Sequence, residues 1–364
     1  MHYKFLIYIS YSYALPIGNP LEKEINKRGY SVYWFSDLEE GAKALKNKEN
    51  VFYNIRDVID YNPDIILTAT DSVPDFFRGL KVQVFHGFNA EKRPEGKHGF
   101  AHFRIRGFFD LYCTQGPNTT KGFLEQQKKH PHFGVIETGW SKVDPLFPVE
   151  NKAKKNDKPT IFIASTFTQR LSLAYNEDVY NEIKRLSETG EFKFLMVLHP
   201  KLPIEIIEKW KALNNDNFTF YNTTDLIPLF KKADIMFSDT TSAIQEFLLQ
   251  KKPVVTFGHT FNHNYLINIT KASLIEESLN NALTYPEDLI NNISSYINEL
   301  NPYFDGKSSE RIITATIDFL HKDKSYLKNK PLNFIRKYKI RKRLNYFTLR
   351  SFNSPYTINL KNNT

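Results

Sequence analysis

Ile235-Met236-Phe237-Ser238-Asp239-Thr240-Thr241-Ser242-Ala243-Ile244-Gln245-Glu246 passes directly from a buried-type apolar strand into an amphipathic helix, read here as Thr240 to Gln250. Hydroxyl side chains and free backbone N–H groups gather at that junction. A helix start carries unsatisfied donors and a positive dipole end, which suits a phosphate or diphosphate. Ser238, Asp239 and Thr240 read equally well as a helix cap, and spacing alone does not choose between the two. Glu246 lies seven residues after Asp239, on a helix face able to look back to a ribose beside that anion, or simply out to solvent.

Outward from this junction the second half of the chain repeats one pattern. Thr160 to Ala164 is strand-like, a helix follows from about Leu171, and Phe192 to Leu198 is again a strand. A helix near Pro203 to Leu213, the strand Phe218 to Tyr221, the helix Asp225 to Lys232 and the strand Val254 to Thr256 complete it. The first half alternates likewise: strand Phe5 to Ile9, helix Pro20 to Arg28, then strands Tyr30 to Phe35, Asp64 to Thr68, Val82 to Phe85 and Leu111 to Thr114. Strands alternating with helices at this spacing imply parallel sheets with βαβ crossovers. Pro145, Pro148 and the polar, lysine-rich run from Asn151 to Lys158 separate the halves as a linker does. The expected architecture is therefore α/β and GT-B-like, two Rossmann-like domains facing across a cleft that holds the active site. The expected parts are residues 1–148 as an acceptor-side domain, 158–321 as a nucleotide-donor domain and 322–364 as a basic tail.

The chain of 364 residues carries a formal charge of +9, unevenly spread. Between Lys322 and Arg350 stand eleven Lys or Arg and one acid, Asp323, a balance of +10. With Lys361 beyond, residues 1–321 are left at −2. Leu332, Phe334, Ile335, Tyr338, Ile340, Leu344, Tyr346 and Phe347 lie among those cations, a texture that reads as a membrane-surface binder. The competing readings are a solvated or RNA-sticky tail, or a terminal helix folded back on the first domain. A nucleic-acid enzyme places its positive charge along a folded groove instead, so no nucleic-acid partner is expected.

Composition narrows the chemistry. The single cysteine, Cys113, excludes an internal disulfide framework and zinc fingers. The best apolar stretch, Phe5 to Ile17, is short, broken by polar residues and proline, and lacks a cleavage site, so neither a membrane span nor a secretory signal is expected. No GxGxxG, Walker loop or GxSxG elbow occurs. His98 with His102, and His259 with His263, have a four-residue spacing but no HExxH glutamate or obvious third ligand, so no metal or other cofactor is expected. Two other histidines close strands: Val84-Phe85-His86-Gly87 in the first half and Val197-Leu198-His199-Pro200 in the second. Parallel α/β sheets place ligands at such strand ends. One histidine of such a pair can accept a proton while the other stabilises phosphate charge, although each alone also reads as a packed or capping residue.

Several of these residues together resemble the CDP-glycerol glycerophosphotransferase family, of the teichoic-acid primase and polymerase type. That family is similar in fold to the UDP-GlcNAc 2-epimerases and other GT-B enzymes. The likeness extends from about His86 to Arg311: His86-Gly87, Ile161 to Phe167, Gly139-Trp140 with Asp144, His199-Pro200, Ser238 to Ser242, and Asp305-Gly306-Lys307-Ser308-Ser309-Glu310-Arg311. The resemblance implies that His86 and His199 are the essential pair, that Ser238, Thr240, Thr241 and Ser242 hold CDP phosphates, and that Glu246 binds the cytidine ribose. Gly87, Asp144, Asp239 and Arg311 join the implied substrate-binding set. The implied reaction moves glycerol phosphate, or a related polyol phosphate, from a CDP-linked donor to a cell-surface glycan or lipid-linked acceptor and releases CMP, at the inner face of the membrane. The chain departs from the family pattern at Phe88-Asn89-Ala90, Ser141-Lys142 and Thr168, where Thr-Pro-Leu, Pro-Arg and arginine are commoner. The alternative is another GT-B glycosyltransferase, or an enzyme like the epimerases, acting on a nucleotide sugar. Ile244-Gln245-Glu246 and Asn301-Pro302-Tyr303 echo the epimerases, whereas Ser165 to Arg170 replaces their HRREN-like signature.

Overall fold

The computed structural model describes residues 1–88, 101–149, 158–347 and 349. The chain divides into two compact units: the described parts of residues 1–86, 95–145 and 301–364 form the first, and those of 87–94 and 146–300 the second.

The first unit is built on a seven-stranded sheet of β1 (Lys4–Ile9), β2 (Ser31–Ser36), β3 (Val51–Phe52), β4 (Ile65–Thr68), β5 (Leu80–Gln83), β6 (Leu111–Thr114) and β7 (Gly134–Glu137). The spatial order is β3-β2-β1-β4-β5-β6-β7, every pairing parallel. The order reverses at β1, whose neighbours are β2 and β4, and that is where a doubly wound sheet opens a crevice. Helices α1 (Leu15–Lys27), α2 (Glu39–Ala44), α3 (Ile55–Tyr61) and α4 (Pro117–Lys129) form its crossovers. The sequence pattern starts α1 at Pro20, but the helix begins at Leu15. Pro16 sits in the first turn, where an N–H has no intrahelical partner to lose, and burial of Ile17, Leu21 and Ile25 carries the helix past Pro20.

The second unit holds a six-stranded parallel sheet of β8 (Thr160–Ser165), β9 (Lys193–Leu198), β10 (Phe218–Phe220), β11 (Ile235–Ser238), β12 (Val254–Phe257) and β13 (Ile267–Ile269). Its order is β10-β9-β8-β11-β12-β13, with the reversal at β8. The accompanying helices are α5 (Glu177–Thr189), α6 (Ile204–Lys211), α7 (Ile227–Lys232), α8 (Ala243–Leu248), α9 (Ile275–Leu283) and α10 (Glu287–Leu300). Helix α5 starts later than the pattern suggests, because the Asn176 carboxamide oxygen accepts from the N–H of Val179 and caps it there. Phe194, Met196, Ile161, Ile163, Ile235 and Phe237 of the central strands form the heart of this unit's core, with Trp210 packed beside them.

Two helices return to the first unit, α11 (Ser308–His321) and α12 (Phe334–Arg343). This corrects two expectations. Residues 301–321 were expected to belong to the second domain. Instead Asp144 grips the start of α11, and Phe319 lies against Gly134 at the far end of that helix. Residues from 322 onward were expected to form a basic membrane-surface tail, with a terminal helix folded back on the first domain as the competing reading, and the fold shows that helix. Ile340 and Leu344 enter the first unit's core, and Arg341 pairs with Asp75 and Arg343 with Asp37. Full burial of such an aliphatic side chain contributes roughly 1.5–3 kcal/mol, enough to hold a short helix down. The linker run Asn151 to Lys158 lies outside the described residues apart from Lys158.

Candidate functional site

In the second unit the β11–α8 junction is more constrained than a simple cap. Ser238 donates from Oγ to the carbonyl of Ala164 at 2.6 Å. The Asp239 carboxylate, fully buried, accepts from Ser165 Oγ at 2.5 Å and from the N–H groups of Thr166 and Leu173 at 3.0 Å each. Burial pushes this carboxyl up to about 6 against the pull of those donors. Ser238 and Asp239 therefore bind the end of β11 to the end of β8 and the loop after it, and neither is the N-cap of the helix that follows.

Helix α8 begins only at Ala243 and is six residues long, with no capping side-chain bond from Ser242. Thr241 Oγ1 accepts weakly from the N–H of Ala243 at 3.4 Å. Thr240 Oγ1 is buried and finds no partner among the described residues. It lines a small hollow with Thr241, Gln245, His259, Tyr265 and Tyr296. Gln245 donates to the Tyr296 hydroxyl at 3.2 Å, and the Tyr265 and Tyr296 rings stack at 3.9 Å. Glu246 is 5% exposed, so it is no solvent-facing helix carboxylate.

Of the hollow's residues, His259 entered the sequence reading only as one of a rejected metal pair. The 31-residue interval between Tyr265 and Tyr296 leaves no local signal. The His259 and His263 rings lie 5.5 Å apart in an edge arrangement. Among the described residues, no three His, Cys, Asp or Glu side chains gather as metal ligands do. His98 lies outside the described residues.

His199 follows the end of β9, half-buried against the Phe167 ring at 4.6 Å, and its Nδ1 accepts from the N–H of Lys201 at 3.1 Å. An acceptor Nδ1 in neutral imidazole leaves the proton on Nε2, which is then the donor of the ring. Lys201 Nζ lies 5.5 Å from the centre of the Phe167 ring.

In the first unit His86 is exposed just beyond β5, with the Tyr13 ring 5.9 Å away. The preceding Phe85 has φ of 59°, a left-handed conformation that costs a non-glycine residue on the order of 1–3 kcal/mol. Packing of Phe85 on Phe123, and a bond from Trp140 Nε1 to its carbonyl at 3.2 Å, hold that conformation. Beneath it, burial lowers His102 to about 4, with the nearby His86 adding to the effect. Among the described residues, no atom lies within 4 Å of the place a Cβ on the half-buried Gly87 would take.

The remaining candidates of the first unit form a clasp. Asp144 Oδ1 accepts from the N–H of Ser308 at 2.8 Å, and Oδ2 accepts from the N–H and Oγ of Ser309 at 2.7 and 2.6 Å. Burial raises the Asp144 carboxyl above the usual range despite these donors. Arg311 donates from both terminal nitrogens to Asp305 at 2.9 and 2.8 Å and from Nε to the carbonyl of Thr138 at 3.0 Å. Its guanidinium also lies 4.0 Å from the centre of the Tyr303 ring. Gly139, with φ of 83°, comes so close that a Cβ would stand 2.4 Å from Ser308 Oγ. Asp144 and Arg311, expected to bind substrate, have these hydrogen-bonding groups engaged in joining the segment after β7 to the start of α11.

No family model and no curated protein matches this chain in sequence. Solved structures match its fold. The wall teichoic acid polymerase TagF is 13% identical, with 87% of this chain and 88% of that chain covered and a TM-score of 0.60. UDP-GlcNAc 2-epimerase from Neisseria meningitidis, bound to UDP-GlcNAc, is 17% identical, covering 86% and 99% at a TM-score of 0.59. S. aureus MnaA, in a co-structure with UDP, is 16% identical, covering 91% and 99% at 0.60. The chain thus has the α/β fold of the GT-B class, two parallel sheets flanked by helices, shared with a teichoic acid polymerase and with sugar-nucleotide epimerases alike.

Proposed function

We propose that this protein is a transferase that moves glycerol phosphate, or a related polyol phosphate, from a CDP-linked donor to a hydroxyl of a cell-surface glycan or lipid-linked acceptor. The observation that carries this reading is the state of His199. Its Nδ1 accepts from a backbone N–H, which in the neutral imidazole puts the ring proton on Nε2, a donor of the kind that stabilises a phosphoryl oxygen. The ordered motifs from His86 to Arg311, and the likeness in fold to TagF, support the same class.

In the proposed reaction the acceptor oxygen attacks the glycerol-bearing phosphorus in line. The bond from that phosphorus to the bridging oxygen breaks, CMP leaves with the electron pair, and the acceptor proton passes to His86. Thr240, Thr241 and Ser242 bind the donor phosphates, Glu246 binds the ribose, and no covalent enzyme intermediate is needed. The setting proposed is the inner face of the membrane, with the enzyme a peripheral protein; no helix among the described residues is long and apolar enough to cross a bilayer.

The second reading is an enzyme acting on a UDP-sugar. It is favoured by the equal likeness in fold to the epimerases and by Ile244-Gln245-Glu246 with Asn301-Pro302-Tyr303. Incubating the protein with CDP-glycerol, CDP-ribitol, CMP-Kdo and UDP-GlcNAc separates the two. CMP release from a polyol donor supports the transferase; turnover of UDP-GlcNAc with no CMP from any cytidine donor overturns it. Nucleotide binding without turnover of any donor assigns a binding role instead.

A further inference from the structure

Helix α12 has one buried and one exposed face. Ile340 and Leu344 are buried in the first unit's core, and Arg341 and Arg343 on the flanks are paired with Asp75 and Asp37. The chain leading into the helix is pinned as well: Lys330 Nζ lies 2.6 Å from an Asp110 oxygen, and Asn333 Nδ2 donates to the carbonyl of Arg106 at 2.7 Å. Lys324 Nζ is spent on the carbonyls of Phe319 and Leu320 at the end of α11.

The opposite face is apolar where solvent is expected. Phe334, Ile335 and Tyr338 are 72%, 74% and 57% exposed, and Leu332 just before the helix is 67% exposed. At about 100° per residue these three helical positions share one side with Lys339 and Lys342, away from Ile340 and Leu344. Lys339 and Lys342 are exposed and enter no ion pair among the described residues.

We propose that this outer face of α12 docks flat on a bilayer bearing anionic phospholipid headgroups, with Phe334, Ile335 and Tyr338 entering the headgroup layer and Lys339 and Lys342 meeting the lipid charge. Charge complementarity selects that occupant. Residues 1–321 sum to −2 whereas residues 322–350 sum to +10, so the excess of positive charge lies in this segment. Because the inner face is locked to the core, docking orients the whole first unit, as a loose basic tail does not. This deepens the peripheral placement proposed above and rests on that reading for its biological setting only.

The test is co-sedimentation of the full chain with phosphatidylcholine vesicles made with and without phosphatidylglycerol. Two outer-face variants are compared with it, Phe334→Ser/Ile335→Ser/Tyr338→Ser and Lys339→Glu/Lys342→Glu. A third variant, Lys128→Glu/Lys129→Glu, makes the same charge change at the exposed end of α4. Expected are binding to the anionic vesicles only, loss of binding at about 1 M salt, where the screening length falls to roughly 3 Å, at least a tenfold weaker partition for each outer-face variant, and none for the α4 variant. No vesicle binding, binding unchanged in both outer-face variants, or an equal loss in the α4 variant overturns the proposal. Equally tight binding of a duplex oligonucleotide at the same salt also overturns it, by revealing a general polyanion site. Calorimetric CDP binding on the same variants is expected to be unchanged, so failure of docking and failure of the nucleotide reading are told apart.

Discussion

Asp144 and Ser309, 165 positions apart, meet through two hydrogen bonds of 2.7 and 2.6 Å to a single carboxylate oxygen, while the other oxygen takes the N–H of Ser308. A helix start is capped here by a side chain from a distant segment. The bond network attaches α11 to the segment after β7 and accounts for residues 301–321 belonging to the first unit. Asp144→Ala is expected to lower the stability of the first unit by roughly 3 kcal/mol, since hydrogen bonds to a charged group are worth about 1.5–3 kcal/mol each. Urea unfolding followed by tryptophan fluorescence measures it, with CDP titration in parallel. A loss of donor affinity with unchanged stability returns Asp144 to the substrate-binding set.

The pair Asp305–Arg311 makes a pH prediction. Hydrogen bonding to Arg311 depresses the Asp305 carboxyl from 3.8 to about 2. A depressed carboxylate contributes stability above its unfolded value and loses it as pH falls through the folded one. The stability gap between the protein and Asp305→Asn is therefore expected to be constant above pH about 4 and to close on the way down to about 2. Thermal unfolding of both proteins across that window checks it; a gap independent of pH contradicts the assignment. Asp305 is about half exposed, so the gap is modest.

His199→Ala is expected to reduce turnover of a confirmed donor by roughly two or more orders of magnitude, within the range that positioned acid–base groups contribute. His199→Gln, which can still present an N–H donor, is expected to recover part of it. His86→Ala is expected to lose a similar factor. Steady-state CMP release measures both, and near-normal rates in both alanine variants reject the pair.

Thr240→Val tests the β11–α8 junction. A buried hydroxyl without a partner costs on the order of 1–3 kcal/mol, so the isosteric valine is expected to leave the unliganded protein as stable or more stable. The same change is expected to weaken CDP binding about tenfold or more, as is Glu246→Ala. Calorimetry with CDP and a thermal melt without it read the two effects. Lower stability with unchanged affinity assigns Thr240 to packing alone.

The amino-acid sequence by itself determined the class of fold. The apolar runs of β1, β8, β9 and β11 are central strands, buried on both faces, and such strands are continuous in hydrophobicity whatever surrounds them. It also marked the strand ends that carry His86, His199 and Ser238 to Ser242. The strands it left unread, β3, β7 and β13, all stand at sheet edges, where strands of two to four half-buried residues carry little periodic signal. Tertiary structure alone decided the partners. Only packing brought Asp144 to α11, turned Asp239 inward to the loop after β8, and buried Glu246. Packing also folded part of the basic segment onto Asp37 and Asp75 while leaving Phe334, Ile335 and Tyr338 outside. The reason is physical: local sequence sets backbone periodicity, whereas the role of a charged or hydroxyl side chain depends on which distant donor or acceptor the folded chain places within 3 Å of it.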